Sequence, residues 1–146
     1  MMGLAIDIAD AVAAEINAAA DGTFSQVVDA QRQVLPAREL SELTTLKVTV
    51  VPKAIEISGS TRSVSQYDVA IDIGVQKKLG KDLDVEVSPL MTLVDEIAEY
   101  LRKRQLAAAP YAAWVRTAND PVYVPEHLAS QRVFTSLLTV TYRAMR

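Results

Sequence analysis

Between residues 67 and 76 every second side chain is apolar. Tyr67, Val69, Ile71, Ile73 and Val75 fall on one face of an extended chain, and Asp68, Ala70, Asp72, Gly74 and Gln76 fall on the other. A strand that is apolar on one side only belongs to an antiparallel sheet with one packed face, because parallel strands are covered on both sides and read as continuous apolar runs.

Two segments have the pattern needed to cover that face. Leu4, Ile8, Val12 and Ile16 recur at four-residue steps, which predicts an N-terminal helix with Asp7 and Asp10 near its positive end and Asp21-Gly22 as its stop. Leu90, Leu93, Val94, Ile97, Tyr100 and Leu101 form a second helical stripe. Ser88-Pro89 reads as its N-cap and first residue, and Arg102, Lys103 and Arg104 suit its negative end.

Further strands are expected around residues 24–30, over 46–50 ending at Pro52, and over 114–118 and 132–143. Ile55 and Ile57 read as a short continuation before a Ser58-Gly59-Ser60 turn. Residues 37–45 are a loop or a short helical turn, 77–84 a charged loop centred on Gly80, and 124–131 a connecting arm. The order is helix, strands, helix, strands. This predicts a single α+β domain over residues 1–146, a largely antiparallel sheet with an N-terminal and a central helix packed on one face.

Composition narrows the chemistry. A chain of 146 residues, half of them hydrophobic and 23% charged, can bury a core without staples. The absence of cysteine removes disulfides, thiol nucleophiles and cysteine metal sites together, and one histidine excludes a histidine-pair metal motif. Net charge is −3, so bulk attraction to nucleic acid is not expected. The opening segment holds three acids and no base, unlike a secretory signal, and no apolar run reaches the ~20 residues of a membrane span. The five scattered glycines form no phosphate-cradling loop, and there is no Gly-x-Ser-x-Gly elbow.

His127 is the one candidate general base, with a hydrogen-bonding anchor before the last strand as the other reading. Asp68 and Asp72 are four residues apart on one strand face, ~13 Å, too far to share a proton or a metal ion. They read as a solvated or partner-facing acidic strip. Tyr111, Trp114, Val122, Tyr123 and Val124 crowd a segment broken by Pro110, Pro121 and Pro125, the pattern of a docking arm or of a loop folded over the core. In the last strand Val133, Leu137, Thr139 and Thr141 oppose Phe134 and Leu138, so both faces are partly apolar. Such a strand is sandwiched or pairs with another subunit. The candidate interface residues are therefore Lys77, Lys78, Lys81, Asp82, Tyr111, Trp114, Tyr123, Val133, Leu137 and Thr139.

Three stretches carry a resemblance: residues 64–76 with their Tyr-Asp-Val-Ala-Ile-Asp-Ile strand, 88–101 from Ser-Pro-Leu-Met to Glu-Tyr-Leu, and 126–143 ending Phe-Thr-Ser-Leu-Leu-Thr-Val-Thr-Tyr-Arg. Together they resemble the tail-terminator and neck (head-tail connector) proteins of long-tailed bacteriophages. The resemblance implies a structural virion protein that is not an enzyme and has no cofactor. It implies a homo-oligomeric ring, commonly a hexamer, that caps the tail tube protein and meets the head-completion or connector protein. Genomic DNA would pass through unread, and the protein would be found in the virion and, during assembly, in the host cytoplasm. In such a ring Asp68 and Asp72 are candidate lumen-facing acids, since like charge keeps DNA from sticking. Two alternatives stay open: a non-phage α+β adaptor or assembly module without catalysis, and a small hydrolase using His127.

Overall fold

The alternating segment is the central strand of the molecule. The structure, a computed structural model, describes residues 3–34 and 40–146. In it α1 (Leu4–Asn17) is followed by β1 (Ala30–Arg32), a 3-10 turn (Leu40–Thr44), β2 (Lys47–Gly59), β3 (Ser65–Lys78), α2 (Leu83–Leu101), β4 (Ala113–Asn119), α3 (Pro125–Gln131) and β5 (Val133–Met145). The five strands form one sheet in the order β1-β2-β3-β5-β4. Only the β1–β2 pairing is parallel. The chain is thus α+β, with a largely antiparallel sheet.

Register explains the core. Val69 pairs with Tyr142, Ile71 with Val140 and Ile73 with Leu138, so apolar side chains of both strands share one face, and all six are buried. The stripe Leu4, Ile8, Val12 and Ile16 of α1 and the stripe Leu90, Leu93, Val94, Ile97 and Leu101 of α2 join the same cluster. Both helices cover one face, α1 over β1 to β3 and α2 over β5.

Several element boundaries differ from expectation, each for a local reason. The central helix starts at Leu83, not at Ser88-Pro89. Asp82 Oδ1 caps it by accepting from the Val85 N–H at 3.3 Å, and Glu86 Oε2 accepts from Gly80 N–H at 2.8 Å. Pro89 therefore lies inside the helix, where its missing N–H deprives the Val85 carbonyl of a helical donor. Both residues are exposed, so that carbonyl is open to solvent.

The first helix stops at Asn17, because the Asn17 side chain exchanges two 2.8 Å hydrogen bonds with the backbone of Ala30; Gly22, at φ +88°, sits in the turn beyond. Residues 24–29 are not a strand. Phe24 packs edge-on against Tyr100, and the Ser25 N–H and hydroxyl both donate to Glu96 Oε1, which draws the chain over α2.

Pro52 does not end β2 but marks a bulge, and the strand continues to Gly59. Lys77 and Lys78 extend β3, which shortens the charged loop to residues 79–82, and the connecting arm contains α3. Of the segment 37–45, residues 37–39 lie outside the described residues and Leu40–Thr44 is the 3-10 turn.

Candidate assembly surfaces

The face of the sheet away from the helices is a ladder of mixed charge. Arg143 donates to Asp68 through Nε at 2.8 Å and through a terminal nitrogen at 3.2 Å. The hydrogen bond from Arg143, with its charge, outweighs burial and holds the Asp68 carboxyl below its usual range, and the charge of Arg116 on β4 adds to this. Asp72 accepts from the Thr139 hydroxyl at 2.6 Å, and Lys53 Nζ lies 3.9 Å away. The two acids singled out by sequence are thus on one strand face, but each has a partner from a neighbouring strand. They do not form a bare negative strip.

The other candidate residues divide. Val133 is buried inside the fold. Leu137 and Thr139 are half-buried on the open face. Asp82 is engaged as the cap of α2, and Lys81, which is exposed, uses its carbonyl to accept from Arg132 at 3.4 Å. Lys78 is exposed and Lys77 partly covered at the end of β3. Tyr111 and Tyr123 are exposed, whereas Trp114 is half-buried, its indole N–H donating to the Thr117 hydroxyl at 2.9 Å. These positions do not converge on one patch.

His127 Nδ1 lies 2.9 Å from the Thr135 hydroxyl oxygen, which also accepts from Gln76 at 3.4 Å. The ring ties α3 to β5 through side chains. Among the described residues no group of three or more acids and histidines is placed to hold a metal ion. A concavity of about 650 Å³ is an open groove between α2 and β4 lined by Asp95, Glu99, Arg102, Trp114 and Leu138.

The surface that sequence reasoning passed over is the distal half of β2. Residues 53–59 are exposed throughout, and no strand pairs with their outer edge among the described residues. Ile55 and Ile57 pair with Val69 and Tyr67, so they lie on the same face as the core, yet they are 41% and 63% exposed. The apolar face of the sheet runs past the helices onto an edge that no strand seals among the described residues. The signal was the Ile55/Ile57 alternation itself. No protein-family model and no curated protein matches this chain.

Proposed function

We propose that the chain is a structural, ring-forming protein of a phage neck, which caps the tail tube and joins it to the head connector. The observation that carries this reading is the exposed edge of β2 with Ile55 and Ile57. A long edge strand with unpaired backbone groups and apolar side chains invites pairing with another chain, and most proteins blunt such an edge or cover it. The β4 edge is the second open margin of the same sheet. Two different margins on one subunit suit a heterologous interface, the kind that closes identical copies into a ring. The resemblance of residues 64–76, 88–101 and 126–143 to tail terminators supplies the setting.

Tube elongation tests the reading. Added to polymerising tail tube protein, the chain is expected to shorten and cap the tubes. Tubes that grow to the same length with and without it would falsify the proposal.

A further inference from the structure

The two open margins carry matching side chains. Glu56 projects from the β2 edge, pairs across the sheet with Asp68 and so belongs to the open face, and has no ion-pair partner among the described residues. Arg116 sits on β4 opposite Thr141, on the same open face and exposed; its charge acts on Asp68, but no carboxylate lies within ion-pair distance of it among the described residues. On the helix face, Ile57 of β2 corresponds to Trp114 of β4, which lies opposite Tyr142.

Direction follows from topology. β2 is antiparallel to β3, β3 to β5 and β5 to β4. β4 therefore runs antiparallel to β2, and a copy related by rotation about a ring axis would bring its β4 to β2 in that sense. The register shift between Trp114 and Arg116 makes these two residues act as consecutive ladder positions.

Resting on the ring reading, we propose that residues 53–59 of β2 receive β4 of a second copy of this chain, antiparallel, with Arg116 opposite Glu56 and Trp114 opposite Ile57. This register also sets Thr117 opposite Ile55 and Ala118 opposite Ala54, and every pair falls on a common face. The free stretch of β2 and the whole of β4 are of equal length, seven residues each. Opposite charges and aromatic–aliphatic neighbours are the pairs that stabilise adjacent strands.

The test uses cross-linking and charge exchange. The chain contains no cysteine. Within one copy positions 54 and 118 are three strand spacings apart and also offset along the strands, because Ala118 lines up with Val51, so they are more than ~14 Å apart, beyond the reach of a disulfide. Oxidation of the A54C/A118C double variant, with tube protein present, is expected to produce a ladder of covalent multimers of this chain ending at the ring size. Glu56→Arg alone and Arg116→Glu alone are expected to raise the half-assembly concentration about fivefold or more, and the E56R/R116E exchange to restore it. Rings that form without the ladder, and without rescue by the exchange, overturn this interface and leave the ring reading standing. A photoreactive benzophenone side chain at position 54 that cross-links to tube protein and not to this chain overturns the second-copy assignment. A wild-type chain that stays monomeric and leaves tube ends open removes the ring reading and this interface together.

Discussion

The Glu15 carboxylate meets the Arg104 guanidinium at 2.6 Å across 89 positions of sequence. Its second oxygen accepts from Ala107 N–H at 2.9 Å, and the Tyr100 hydroxyl donates to the Glu15 carbonyl at 2.9 Å. Arg104 also lies over the Tyr100 ring, 4.1 Å from its centre. This buried acid ties α1 to the end of α2 and to the chain leading into β4. The segment that leads into β4 is thus anchored to α1.

The clamp sets a pH dependence. Burial pushes the Glu15 carboxyl up, but the Ala107 N–H and Arg104 outweigh it and leave it below the ordinary value of 4.5. A depressed carboxylate contributes stability that is present above about pH 4.5 and is lost as pH falls below it. Glu15→Gln should cost about 1–3 kcal/mol at neutral pH, and thermal melts of both proteins should converge on acidification below that value. A gap that persists unchanged at low pH would contradict the clamp.

Tyr142 presents the opposite case. Its hydroxyl is buried with no hydrogen-bond partner among the described residues, and burial pushes the phenol up. Tyr142→Phe removes an unsatisfied polar atom and keeps the ring in the core. Denaturant unfolding should show stability unchanged or raised by about 1 kcal/mol. A loss of that size would mean that the hydroxyl has a partner.

Pro89 gives a third prediction. Its place inside α2 leaves the Val85 carbonyl without a helical donor. Pro89→Ala should raise stability by about 1–2 kcal/mol in chemical denaturation. An unchanged midpoint would be the result for a proline at a helix start.

Ile71 and Ile57 lie on the same face of the sheet and differ in cover. Ile71 is fully buried, and Ile71→Asp should cost several kcal/mol, enough to prevent folding. Ile57 is 63% exposed, and Ile57→Asp should shift the stability of the fold by no more than about 0.5 kcal/mol while weakening the proposed ring. Circular dichroism melts and light scattering separate the two effects.

What was legible in the sequence tracks how local its cause is. The 67–75 alternation and both helical stripes identified the core face, because burial imposes the period directly. Pro89 was misread since Ser-Pro has the local form of a helix start, and the true cap, Asp82, lies a loop earlier among charges that look solvated. Phe24 and Ser25 left β-structure for contacts with Tyr100 and Glu96, more than 70 positions away. The pairings of Asp68 with Arg143 and Asp72 with Lys53 depend on strand order, which no local pattern encodes. For the same reason Ile55 and Ile57 were visible as a strand but not as an edge.

Ring closure requires copies of this chain to join margin to margin. Mass photometry of the purified protein with tail tubes, read beside class averages from electron microscopy, tests that directly. A single discrete oligomer with rotational symmetry, seated at tube ends, is the expected result. A species of one subunit's mass at every concentration, absent from the tubes, would contradict it.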